Sequence, residues 1–305
     1  MVELIQPVYK AFGLSVKSEI ELPELMLVNN LPDIDIVYGN IFENLDNPAY
    51  SSLHFQVSRD KFLLKVDGVA RYLIENGNKI TIDRSEGGSN DEIRLYLLGS
   101  AFGALIHQRG MLPIHGSAVI FENKCVIFSG KSGAGKSTLA AGFIKKGYKL
   151  LADDVCVVTP DKEGCTIVHP GYPQMKLWND SLEKLGHRTN PLRTVRSGVK
   201  KYALPMGIEF WDEPAKLKGI YIISTKDSDV IEIQILKGIE KFEALKNNTY
   251  RLSFLKGTGN TEAHFKLIEA VSRHCFAKHI TRPSKSFYLD ELIQAIELDI
   301  STSSL

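Results

Sequence analysis

The sequence predicts an α/β protein: a phosphate-loop domain of alternating strands and helices, preceded by a small, mostly antiparallel β-rich domain. Three observations predict it. The first ninety residues carry short, partly alternating, β-branched or aromatic runs separated by turn signals. From residue 91 the apolar period lengthens to that of a helix. Residues 130–137 then spell G-x-x-x-x-G-K-S between an apolar strand and an amphipathic helix.

In chain order, DIDIVY (33–38), LHFQV (53–57), KFLLKV (61–66), ARYLIE (70–75) and KITID (79–83) read as strands, divided by VDG, ENGN and EGGSND. This gives a first domain over 1–90 and a second over 91–305. DEIRLYLLGSAFGALIHQRG (91–110) sets Ile93, Leu97, Leu98, Ala101, Leu105 and Ile106 on one helical face, closing at Gly110. A strand pair (SAVIF, CVIFS), the loop, a helix (STLAAGFIKKG) and the strand KLLADDVCVV follow. An irregular, basic, proline-rich stretch spans His169 to Pro205. Strands at GIYIIS and VIEIQIL and helices near 238–247, 260–278 and 290–298 complete the pattern, with a frayed polar tail, STSSL.

Bulk properties narrow the function classes. Of 305 residues, 44% are hydrophobic and 24% charged, as in an ordinary globular protein. Lys plus Arg number 37 against 36 Asp plus Glu, a net charge of +1. No global field draws nucleic acid or an anionic membrane, so an anionic ligand must be met by a local site. The four cysteines form no CxxC pair, and Cys125 and Cys156 sit in apolar runs as buried thiols. MVELIQPVYK is not a signal peptide, and no apolar run reaches membrane-spanning length, so a reduced, cytoplasmic location is expected.

Gly130-Lys131-Ser132-Gly133-Ala134-Gly135-Lys136-Ser137 fits the phosphate-loop pattern throughout. Its glycines let successive amide N–H groups converge on phosphate oxygens, and the following helix adds its positive end. Lys136 would neutralise β- and γ-phosphates, Ser137 would ligate Mg²⁺, and Thr138 could reach the α-phosphate. ATP, or another nucleoside triphosphate, with Mg²⁺ is the implied cofactor pair.

Asp153 and Asp154 follow only 17 residues after Lys136, in the strand expected to lie parallel beside the loop strand. Neighbouring strand residues point to opposite faces, so two carboxylates on one site need a bend or strand end, or else divide the labour. One would hold the metal and the other would face an attacking hydroxyl. A free Asp cannot deprotonate an alcohol in advance, but it accepts the proton as the bond to phosphorus forms.

His115-Gly116, the loop and Ala152-Asp153-Asp154 resemble the catalytic domain of HPr kinase/phosphorylase, whose fold is similar to phosphoenolpyruvate carboxykinase. The likeness covers residues 110–223 well. The flanking LYLLGSAFGALIHQRGMLPIHGSAV, HPGYPQMKLW and Thr281-Arg282-Pro283 look instead like HPr-kinase-related proteins. These include the tailoring kinases of lasso-peptide clusters, which phosphorylate a precursor's C-terminal serine. The resemblance implies Asp153 as general base, Asp154 as metal-side aspartate and His115 near the γ-phosphate. It also implies a homo-oligomer. The longer HPr-kinase signature that supplies a further glutamate is not found, which argues against HPr as substrate and against reverse phosphorylase activity.

Between Gly186 and Tyr202 lie His187, Arg188, Arg193, Arg196, Lys200 and Lys201 without an acidic residue. Arg196, Lys200 or Lys201 is expected to be the transition-state cation, and the run could also capture a terminal carboxylate. Tyr172 and Trp178 either line a peptide or nucleotide groove or pack a loop. Trp211 is expected to pack; Arg251 and His264 have no assigned role. The leading reading is a serine kinase acting on a peptide or small protein, most closely a lasso precursor. Its rivals are a kinase of HPr or another carrier protein, a nucleotide switch or ATPase, and a small-molecule kinase. The β-rich domain is read as a peptide-recognition edge, a scaffold or an oligomer contact.

Overall fold

The computed structural model describes residues 6–186, 192–196, 198–284 and 288–302. The first sheet has nine strands: β1 (Val8–Ala11), β2 (Leu14–Ser18), β3 (Met26–Leu27), β4 (Ile34–Tyr38), β5 (Tyr50–Ser51), β6 (Phe55–Val57), β7 (Lys61–Val66), β8 (Ala70–Glu75) and β9 (Lys79–Arg84). Their order is β3-β1-β2-β4-β9-β8-β7-β6-β5. All pairs are antiparallel except β2–β4 and β4–β9. In β8 every second side chain is buried, the alternation its sequence shows.

The buried face of this sheet is covered by α1 (Asn90–Tyr96), a π-helical turn (Leu97–Ala101) and α2 (Phe102–Gln108). Ser89 caps α1: its Oγ accepts from the Glu92 N–H at 3.2 Å and donates to Glu92 Oε2 at 3.0 Å. Ile93, Leu97, Ala101, Phe102 and Leu105 join Phe12, Phe62 and Tyr72 in one cluster, so a single core runs across residues 86–90. The start of α2 packs on Tyr250: at Gly103 a Cβ would come within 2.9 Å of that ring, so only glycine admits the tyrosine.

The second sheet carries the G-x-x-x-x-G-K-S loop. Its first strands are β10 (Leu112–Phe121), β11 (Lys124–Gly130), β12 (Lys149–Ala152), β13 (Val155–Pro160) and β14 (Thr166–His169), with α3 (Lys136–Lys145) following the loop. A small separate sheet, β15 (Gln174–Trp178), β16 (Arg193–Arg196) and β17 (Val199–Pro205), comes next in the chain, with α4 (Asn179–Leu185) after β15. The stretch read as irregular from His169 to Pro205 therefore holds all three strands of the small sheet. Its period-two pattern, Gln174-Met175-Lys176-Leu177-Trp178, was masked by the prolines around it.

The rest of the second sheet is β18 (Ala215–Lys226), β19 (Glu232–Ile235) and β20 (Phe276–Pro283). Here β20 occupies the end of the helix expected over 260–278. The closing helices are α5 (Gly238–Asn247), α6 (Thr261–His274) and α7 (Leu289–Thr302), the last extending into the tail expected to fray. Strand β11 pairs antiparallel with β10 and parallel with β18, and the path β11-β10-β13-β14-β18 closes on itself. Alternate residues of β11 face opposite layers. Val126 and Phe128 pack with Leu139 and Phe143 of α3 and Ile293 and Ile296 of α7, while Cys125 and Ile127 pack with Ile268 and Val271 of α6.

One expectation is corrected here. Strand β12 lies beside β10, not beside the loop strand β11. The β10–β11 hairpin places its own first strand on that edge, so the chain returning from α3 must pair one position further out.

Two buried histidines report on the core's charge tolerance. His107 and His264 stand 6.0 Å apart between ring centroids, and burial lowers both from the ordinary 6.5 to about 4, with His107 also disfavouring a charge on His264. The unfolded chain binds these protons first, so stability is present above about 6.5 and is lost as pH falls toward 4. A loss of several kcal/mol is expected by pH 4. Urea midpoints measured at pH 7 and 4.5 should fall less in a His107→Gln/His264→Gln variant than in the parent.

Candidate functional site

The loop between β11 and α3 is built as its glycines require. Gly130, Gly133 and Gly135 have φ of 140°, 82° and 100°. A Cβ on Gly130 would sit 2.4 Å from the Ile223 carbonyl oxygen of β18. Lys136 Nζ spans the loop, donating to the carbonyls of Gly130 at 2.9 Å and Lys131 at 3.1 Å. The loop borders a cleft of about 620 Å³ that is also lined by His115, Asp154, Lys176, Trp178, Lys201 and Arg282.

The aspartate pair sits where the chain bends between β12 and β13. Asp154 has φ 72°, a left-handed conformation that costs about 1 kcal/mol and that Asp tolerates better than most residues. The bend supplies what a regular strand denies, two adjacent carboxylates near one loop. They do not face it in the same way. Asp153 is buried: its Oδ1 accepts from Ser137 Oγ at 2.9 Å and Ser117 Oγ at 2.6 Å, and its Oδ2 accepts from the Lys176 N–H at 2.8 Å. Asp154 lines the cleft, with Oδ2 accepting from Lys176 Nζ at 3.2 Å.

Burial alone would raise the Asp154 carboxyl, but Lys176, then Lys201 and His115, outweigh it and hold the group well below the usual carboxylate range. Lys176 answers in kind. Burial would lower its ammonium, but Tyr172 and Asp154 push it above the ordinary lysine value. His115 Nδ1 lies 3.0 Å from the Asp154 carbonyl, which can only accept, so Nδ1 carries the proton and Nε2 keeps a lone pair. Burial first, and Lys136 second, lower the His115 pKa, so the ring is neutral at pH 7.

Of the expected basic residues, Lys201 lines the cleft. Lys200, its neighbour on β17, is exposed and borders a shallow depression with Asn179 and Val199; strand alternation turns it away, so the cleft does not receive it. Arg196 is described through its backbone at the end of β16, and His187 and Arg188 lie outside the described residues. Thr138, expected at the α-phosphate, places its hydroxyl 2.8 Å from Ser181 Oγ of α4.

Sequence reasoning missed two cations. Lys176 was hidden in HPGYPQMKLW, although alternation against Met175 and Leu177 would have turned it to the same face as Trp178. Arg282, read only as part of a family trait, reaches the loop from β20, with Nε donating to the Ala134 carbonyl at 3.1 Å. Arg251 also gains a place: its Nη2 donates to Ser100 Oγ in the π turn at 3.1 Å.

The donor set at the loop is suited to a hard divalent cation. Ser137 Oγ and Asp153 Oδ1 are both oxygens, already adjacent and beside the lysine that would meet phosphate, which fits Mg²⁺. Among the described residues no helix is long and apolar enough to cross a membrane.

No protein-family model matches the chain, and no curated protein matches it. Among solved structures it is similar to that of the Hpr(Ser) kinase/phosphatase from Coxiella burnetii, at 11% sequence identity and a TM-score of 0.31, over 62% of this chain and 98% of that one. At this distance the likeness decides neither chemistry nor substrate.

Proposed function

We propose that this chain is a nucleoside-triphosphate- and Mg²⁺-dependent phosphotransferase acting on a hydroxyl of a peptide or small protein. The observation that carries the reading is the division of labour in the aspartate pair. One carboxylate is bonded to the loop serine, and the next faces the cleft that the loop borders. A nucleotide switch needs the first of these but not the second.

Loop amides and Lys136 would hold the β- and γ-phosphates. Ser137 and Asp153 would hold Mg²⁺, which when bound neutralises phosphate charge. Asp154 accepts the proton of the attacking hydroxyl, and His115 Nε2 offers a second acceptor beside it. Lys201 and Arg282 are the cations facing the developing charge. These roles for Asp153 and Asp154 reverse those the sequence resemblance implies, because Ser137 is bonded to Asp153.

The finer reading, a C-terminal serine on a lasso-type precursor, is carried by the sequence resemblance alone. The test is intact-mass analysis of a serine-ending peptide incubated with the protein, ATP and Mg²⁺, beside the same peptide ending in alanine. A gain of phosphate in the serine peptide alone is expected. ATP consumption without gain in either peptide, unchanged in Asp154→Asn, would replace the kinase with a switch or ATPase.

A further inference from the structure

A second cavity, of about 530 Å³, lies between the β-rich domain and the small sheet. Its roof is α1 and the π turn, through Leu95 and Leu98, with Pro23 and Glu24 beside them. Its floor is one face of the small sheet. The register pairs Gln174 with Pro205, Lys176 with Ala203, and Trp178 with Lys201, so these six side chains share a face. They sort along the strands. Trp178 and Lys201 line the phosphate cleft, Gln174, Ala203 and Pro205 line the second cavity, and Lys176 lines both. The two cavities therefore lie on either side of one shared wall residue, the lysine bonded to Asp154.

We infer that the second cavity is the acceptor-peptide subsite, holding an extended segment whose hydroxyl-bearing residue reaches past Lys176 to Asp154; this rests on the kinase reading above. Size, chemistry and polarity support that occupant. Within the second cavity the floor runs two residue steps from Gln174 to Lys176, about 7 Å at about 3.3 Å each, the reach of roughly two extended residues ahead of the serine and beyond one amino acid. Leu95, Leu98, Pro205 and Ala203 give it apolar walls, and Asp91, Arg94 and Arg193 give it charged ones. Glu24 Oε1 is already paired with Arg94 Nε at 2.8 Å, while its Oε2 is buried without a hydrogen-bond partner among the described residues, leaving one acceptor that a peptide N–H would satisfy.

The test is a length series: free serine and synthetic peptides of two, four and six residues ending in serine, with apolar residues and one lysine before it. In the parent, kcat/KM is expected to rise by about 10²-fold between free serine and the four-residue peptide, and little thereafter. Ala203→Phe and Gln174→Trp, which fill the floor at separate points, should each lose most of that gain. Equilibrium binding of ATP and the melting temperature, measured in parallel, identify a variant that has failed to fold. Such a variant is replaced by Pro205→Trp, which fills the same floor. Equal kcat/KM for free serine and all peptides, or an undiminished gain in the folded variants, overturns the subsite and leaves the kinase standing. No phosphorylation of any length overturns the kinase reading and this subsite with it.

Discussion

Asp154→Asn is expected to lower kcat for phosphoryl transfer by about 10²–10⁴ while leaving the Mg²⁺ requirement and ATP affinity near those of the parent. The amide keeps the side chain's shape but removes the anion that takes up the hydroxyl proton. Asp153→Asn should behave differently. Its carboxylate is buried against Ser137 and Ser117 and receives the Lys176 N–H, so its loss should appear first as a raised Mg²⁺ requirement. Titrating Mg²⁺ in both variants separates the roles. If Asp154→Asn is the one whose activity returns at high Mg²⁺, the assignment exchanges and the order implied by the sequence resemblance holds.

Lys176→Met is expected to be the costliest single change beneath the cleft. Removing one partner of a buried pair typically costs 3–5 kcal/mol; Asp154's side chain remains 23% exposed, which reduces this to about 2 kcal/mol. The pH dependence should change as well. Asp154 is held below its ordinary value, so its stabilising contribution is present above the unfolded pKa near 4 and is lost as pH falls through the lower folded value. Lys176 is held above its ordinary value, so its share is present below about 10 and is lost as pH rises through the higher folded value. In the parent the pair is therefore constant from about pH 4 to 10. Without Lys176, burial acts on Asp154 with less opposition, the carboxyl rises, and an acid limb should enter the pH–rate profile. A profile superimposable on the parent's would show that Lys176 does not set the charge of Asp154.

The site was legible in sequence where chemistry forces local spacing. The loop's glycines, Lys136 and Ser137 announce themselves because amide convergence needs those residue types in that order. The need for a bend at Asp153–Asp154 also followed from strand alternation, and Asp154 meets it with a left-handed backbone. What could not be read was pairing at a distance. Nothing local says that β10 separates β12 from the loop strand, that Lys176 rises under Asp154, or that Arg282 reaches Ala134. The β-rich domain was visible as strands from residue 33 onward, but β1, β2 and β3, in a stretch with weaker alternation, were not resolved as strands. The Ser89 cap was available and would have set the helix start one residue before Asp91.

The bond between Arg282 and the Ala134 carbonyl joins residues 148 positions apart, and the parallel partner of β11 begins only at Ala215. During synthesis the chain emerges N-terminus first, so the loop leaves the ribosome long before either support exists. Until those segments emerge, a nascent chain has no β18 to hold β11 and no Arg282 to hold the loop. On the proposed reading, competence to bind nucleotide would arrive only with β20, and a chain cut short before it is expected to lack that competence.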